Sequence, residues 1–142
     1  MPFNLGKCFG GCYPSRPEPK KEIAHPNSSI YQLANHDVMN DIIRSAKTLV
    51  YLDLKANRIK QLPPKFYKTK FSKLEKINIS DNELQVIHSD IRYFDCLKEL
   101  DVQKNELEEL PREIGNCKSL ERLLLGANPM SNLPDEITRL WA

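Results

Sequence analysis

No run of 18 apolar residues occurs in this chain of 142, so nothing in it reads as a membrane-crossing helix. The opening MPFNLGKCFGGCYP has no continuous apolar stretch and makes a poor secretory signal. Pro2 stands where N-myristoylation needs a glycine. There is no GxGxxG, no P-loop and no HExxH phrase. His25, His36 and His88 do not recur with any nucleophile at a useful spacing, so no catalytic residue is assigned. Cys8, Cys12 and His25 are too few for a metal and lack a paired CxxC. The expectation is a protein that is not an enzyme, with no cofactor, no metal and no nucleic-acid partner. Four cysteines invite a disulfide reading, but an intracellular setting argues against it.

What the chain does have is one phrase written four times. LVYLDLKANRI, LEKINISDNEL, LKELDVQKNEL and LERLLLGANPM place Asn57, Asn82, Asn105 and Asn128 at 25-, 23- and 23-residue steps. A fixed period of this size with the wording LxxLxLxxNxL is that of a leucine-rich repeat. Alternating apolar positions point one way from a short strand; in the third repeat these are Leu97, Leu100, Val102 and Leu107. The asparagine falls where the chain leaves the strand. Its amide both donates and accepts, so it can satisfy backbone groups that have lost their ladder. Leu62-Pro63, Leu110-Pro111 and Leu133-Pro134 open three return legs, where the missing N–H of proline is tolerated; the second coil has Ile87-His88 instead. Apolar triads close the legs: Ile91, Phe94 and Leu97, then Ile114, Cys117 and Leu120. Cys117 is therefore a core thiol. The expected fold is an α/β solenoid with short parallel strands on a concave face and irregular or short helical return legs. The two extra residues of the first coil, near Lys68-Thr69-Lys70, should bulge on its return leg.

The chain divides unevenly. Residues 1–28, rich in glycine and proline, read as a flexible arm; residues 29–142 read as an opening half-coil plus four repeats. Ile30, Leu33, Val38, Ile42, Ile43 and Ala46 supply the half-coil. Charge is also uneven under a net +2: residues 44–76 hold ten basic side chains against Asp53 and Glu75, and residues 77–142 hold seven basic against thirteen acidic. A basic first coil favours an anionic membrane surface, by roughly 1 kcal/mol per nearby Lys or Arg. Cys8 and Cys12 lie in the arm near Phe3, Leu5, Phe9 and Lys7, a setting that suits reversible S-acylation as readily as it suits idle thiols. The last coil shows no cap in sequence. Leu123, Leu125, Met130, Leu133, Ile137 and Leu140 should leave one apolar edge open to fraying or self-association.

The run Asn40-Asp41-Ile42-Ile43-Arg44-Ser45-Ala46-Lys47-Thr48-Leu49 resembles the segment that opens the repeats of the LAP family of polarity scaffolds, the Scribble, Erbin and Densin group. Ile79-Ser80-Asp81-Asn82-Glu83 and Glu99-Leu100-Asp101-Val102 resemble the next coils of those proteins, and the arm with paired cysteines resembles theirs. The likeness covers about residues 3–13 and 40–140. It implies palmitoylation of Cys8 and Cys12, and partners among polarity proteins or small-GTPase signalling. It does not carry over PDZ-type peptide binding, since this chain holds four repeats where such scaffolds hold many and also carry PDZ domains.

Outward strand positions follow from the alternation: Tyr51, Asp53 and Lys55; Lys76, Asn78 and Ser80; Glu99, Asp101 and Gln103; Arg122, Leu124 and Gly126. A mixed-charge ladder with Tyr51, Arg122 and Leu124 suits a protein partner. The expected function is an intracellular binding module or scaffold at the inner face of the plasma membrane or at cell junctions. The alternatives are a regulatory subunit of an enzyme such as a phosphatase, a truncated scaffold fragment without independent function, and an extracellular recognition protein of the same fold.

Overall fold

The computed structural model describes residues 22–24 and 36–142, with side chains from residue 40 onward. Cys8, Cys12, His25, Ile30, Leu33 and all of the 1–28 arm except residues 22–24 lie outside the described residues. Five parallel strands form one sheet in chain order: β1 (Glu22–Ala24), β2 (Tyr51–Asp53), β3 (Lys76–Asn78), β4 (Glu99–Asp101) and β5 (Arg122–Leu124). Equivalent residues pair in register, so Leu52, Ile77, Leu100 and Leu123 stack in one inward column. The sheet starts earlier than the repeat phrase suggests. Glu22–Ala24, inside the span read as an arm, pairs with β2 through Glu22↔Tyr51, Ile23↔Leu52 and Ala24↔Asp53.

An amphipathic helix, α1 (His36–Arg44), leads into the first coil and sets Ile42 and Ala46 in the core. The first return leg is an α-helix, α2 (Pro64–Lys68), whereas the next three legs are 3-10 turns at Ser89–Tyr93, Arg112–Asn116 and Asp135–Trp141. The two extra residues of the first coil allow the wider α turn, which Thr69 closes by donating its hydroxyl to the Lys65 carbonyl at 2.8 Å. Phe66, Phe71, Leu74 and the predicted triads, Cys117 included, are buried against one another. Burial pushes the Cys117 thiol up to about 11, which keeps it unreactive. A cavity of about 10 Å³ between the first and third coils holds at most one water, so the core offers no small-molecule site there.

The asparagines form a ladder along the solenoid. Asn82 Oδ1 accepts from the Asn57 and Ile59 amides, both at 2.9 Å, while its Nδ2 donates to the carbonyls of Leu54, Ile79 and Ser80. Asn105 accepts from the Leu84 amide and Asn128 from the Leu107 amide, and both donate back to two coils. The oxygens of Asn82, Asn105 and Asn128 thus each reach the preceding coil. Asn57 Oδ1, first of the four, is buried and has no donor among the described residues. Directly before each asparagine the backbone turns left-handed, at Ala56, Asp81, Lys104 and Ala127, with φ between 52° and 58°. No glycine serves there. The strain, roughly 1 kcal/mol per L-residue, is offset by the hydrogen bonds the turn aims at the amide.

The open C-terminal edge expected from sequence is corrected for Leu123, Leu125 and Ile137, whereas Met130, Leu133 and Leu140 stay partly exposed. Leu123 is 0% and Leu125 5% exposed, and Ile137 is also buried. The Asp135–Trp141 turn packs on the Arg112–Asn116 turn, and Met130, Leu133, Leu140 and Trp141 are half-covered. The close approach needs a residue without a side chain: a Cβ on Gly115 would meet the Glu136 carbonyl. The apolar side chains fold onto the coil before them, so the edge is not a bare leucine face.

Candidate functional site: the outer rows of the sheet

Because the strands are parallel and in register, the outward positions form three rows across the sheet. The first row links itself together. Lys76 Nζ lies 5.4 Å from the Tyr51 ring centre and 3.0 Å from Glu99 Oε1, and Glu99 Oε2 accepts from Arg122 Nη1 at 2.9 Å. Tyr51, Lys76, Glu99 and Arg122 are half-buried and come together as the pattern predicts. Lys76 and Arg122 thus share one carboxylate, that of Glu99.

The second row is partly engaged by the fold. Asp53, Asn78 and Asp101 each accept, through Oδ1 at 3.0 Å, the amide two residues on, at Lys55, Ser80 and Gln103. Such side-chain-to-backbone turns end the strand and aim the chain toward the asparagine. Leu124 interrupts the series and puts a half-buried apolar side chain at the C-terminal end of the row.

In the third row Lys55 is exposed and Gln103 half-exposed, but Ser80 is not an outward contact. It is buried at 5% exposure and donates its hydroxyl to Asn78 Oδ1 at 2.7 Å. A short hydroxyl folds back onto its neighbour's carboxamide where a longer side chain would project. Gly126 completes the row, and a Cβ there would press within 3.0 Å of Gln103 Nε2.

Beyond the predicted rows, Asp81 bridges Lys55 at 3.5 Å and Lys104 at 3.2 Å where the strands end. Lys104 and Lys55 hold its carboxyl below the usual range. The signal available in sequence was opposite charge at repeat-length offsets. Asp101 moves the other way: burial raises its pKa, and Glu99 adds to the rise. A carboxyl whose folded pKa is raised favours the folded state at low pH and opposes it once pH exceeds that pKa. Asp101→Asn keeps the acceptor and copies Asn78 one strand away. It should therefore raise the melting temperature slightly at pH 7 and leave it unchanged near pH 3; a scan at both values reads the difference.

Among the described residues no group of three or more His, Cys, Asp or Glu is placed to hold a metal ion, and no helix is long and apolar enough to cross a membrane. The rows offer mixed charge, an aromatic ring and one apolar side chain, which is binding chemistry.

Comparison with known proteins agrees with this geometry. A family model described as leucine rich repeat matches residues 72–130. A leucine-rich-repeat protein of Leptospira interrogans is 27% identical with a TM-score of 0.56, over 85% of this chain and 33% of that one. The plant peptide hormone receptor RGFR1, solved in complex with RGF2, is 34% identical with a TM-score of 0.57, over 66% of this chain and 15% of that one. The chain spans a third or less of the length of either structure. A comparison with curated proteins finds no match. The narrower likeness to polarity scaffolds rests on the sequence phrases alone. The repeat phrase, the in-register parallel sheet and the asparagine ladder, together with these matches, make the fold a leucine-rich-repeat solenoid.

Proposed function

We propose that the chain is a protein-binding module whose partner lies across the concave rows of β2 to β5. The observation that carries this is the linked row Tyr51–Lys76–Glu99–Arg122, a preorganised strip of aromatic and charged groups ending beside Leu124. Side chains already held in place lose little entropy when a partner docks. The bound peptide hormone of the plant receptor supports a polypeptide ligand. The resemblance to LAP-family scaffolds supports a partner from cell-polarity or small-GTPase signalling.

The test is a variant carrying Tyr51→Ala, Lys76→Gln, Glu99→Gln and Arg122→Gln. The row is half-exposed, and each ion pair is worth about 0.2–1 kcal/mol, so the variant should fold. Recovery of the partner should fall at least roughly tenfold, the equivalent of about 1.4 kcal/mol. Undiminished recovery by a variant with an intact melting transition would remove the concave rows from the account.

The same proposal places the protein at the inner face of the plasma membrane or at cell junctions, through acylation of Cys8 and Cys12. One acyl chain anchors only marginally, so two signals are needed. Replacing both cysteines by serine should shift the protein from the membrane fraction to the cytosol; unchanged fractionation counts against acylation.

A further inference from the structure

The strongest charged surface outside the concave rows is the return side of the first coil. Lys47, Lys65, Lys68, Lys70 and Lys73 are all exposed there. None of the five makes an ion pair within 4.0 Å among the described residues, whereas Lys55, Lys60, Lys76, Lys98 and Lys104 each do. The backbone gathers them. Lys65 and Lys68 are three apart on α2 and share a face. Ser72, between Lys70 and Lys73, donates its amide to the Ala46 carbonyl and its hydroxyl to the Lys47 carbonyl, which brings Lys47 alongside. Phe66, Tyr67, Phe71 and Leu74 fill the core beneath, so the lysines have no inward option.

The border of this face supports the same reading. The Ser89–Tyr93 turn packs against α2 and ends in Tyr93, 58% exposed, with the Arg92 guanidinium 4.8 Å from its ring centre. The acids of that adjoining leg are Asp90, which faces His88 Nδ1 at 3.4 Å, and the exposed Asp95. Acidic groups outnumber basic ones only farther along, where Glu108, Glu109, Glu113, Asp135 and Glu136 stand against Arg112, Lys118 and Arg139. One end of the return surface is therefore strongly positive and the other mixed with a small acidic excess.

The chemistry of the five selects among anionic partners. Lysine ammoniums are compact, hydrated point charges on flexible stems; they lack the planar fork by which arginine grips a single phosphate or carboxylate. A lysine cluster with no ion pair among the described residues, on an outer return leg, fits a diffuse negative plane better than a defined strand or peptide. An amphipathic tyrosine at its border suits the lipid–water boundary. We propose that the return face of the first coil is a contact surface for an anionic lipid bilayer, seated on its lysines and oriented by the acidic far end. This rests on the membrane attachment put forward above but needs neither cysteine, and it leaves the concave rows free for a protein partner.

The experiment uses the full chain made in bacteria, where it is not S-acylated, and co-sedimentation with vesicles. The unaltered protein should bind vesicles of phosphatidylserine and phosphatidylcholine, fail to bind phosphatidylcholine alone, and lose binding as salt rises from about 0.1 M to about 1 M. Lys65→Gln, Lys68→Gln, Lys70→Gln and Lys73→Gln together should weaken binding at least roughly tenfold, with an unchanged melting transition. Arg112→Gln with Lys118→Gln on the third leg should not, nor should Cys8→Ser with Cys12→Ser. Equal binding to both vesicle types, undiminished binding by the folded lysine variant, or capture by duplex DNA or polyglutamate in preference to the vesicles would overturn the proposal. Loss of acylation or of partner recovery in cells leaves these readings unmoved, so failure of the earlier proposals is separable from failure of this one.

Discussion

Asn82→Ala should cost roughly 3–5 kcal/mol of folding stability, by leaving buried hydrogen-bonding groups without partners. Asn82 takes the amides of Asn57 and Ile59 and gives to three carbonyls, joining the first two coils where the strands end. Alanine orphans two buried N–H groups, those of Asn57 and Ile59. A domain of this size is stable by only about 5–15 kcal/mol, so the loss should appear as a large drop in urea midpoint. Asn128→Ala is the internal comparison: that residue is half-buried and accepts a single amide, from Leu107, so its loss should be smaller. If the two variants unfold at the same midpoint, the ladder does not hold the coils in the way described.

Phe66→Ala should cost a similar amount, about 3–5 kcal/mol, for a different reason. Phe66 is fully buried, with ring centres of Tyr67, Phe71 and Phe94 at 5.6, 5.4 and 5.5 Å. It ties the first return leg to the second. Truncation removes edge-to-face contacts and enlarges a cavity of about 10 Å³ that Phe66 already lines. In a solenoid the damage travels through neighbours. Hydrogen exchange should accelerate at Leu52 and Ile77 more than at Leu123, and uniform acceleration would mean that the coils unfold as one unit.

The repeat was legible because its physics is local. Alternating leucines fix the strand, the asparagine fixes the turn, and the triads Ile91–Phe94–Leu97 and Ile114–Cys117–Leu120 fix the return leg; all are buried as their spacing requires. The left-handed residue ahead of each asparagine was not legible. Alanine, aspartate and lysine fill it where glycine would have been the marker. Strand β1 was hidden for a related reason: Glu22–Ala24 carries one large apolar residue, Ile23, and gains its place from pairing with β2 rather than from its own pattern. The outward rows were found by alternation, but their engagement was not. Whether Asp53, Asn78 and Asp101 face a partner or turn back to their own backbone depends on the amide two residues on, which a pattern of outward positions does not register. Ser80 shows the same limit, since side-chain length decided its burial. The partial covering of the C-terminal edge depended on Gly115 admitting the Glu136 backbone, a contact between separate coils.

Site-specific photo-crosslinking tests the central claim, that the concave rows carry the partner. A benzophenone amino acid at Gln103, between Ser80 and Gly126 in the third row, should give a discrete protein adduct in cells. The same group at Glu109, exposed beyond the strands on the way to the return leg, should give none. The Tyr51, Lys76, Glu99 and Arg122 substitutions should abolish the Gln103 adduct. Adducts at Glu109 with none at Gln103 would place the binding surface elsewhere on the solenoid and contradict the account.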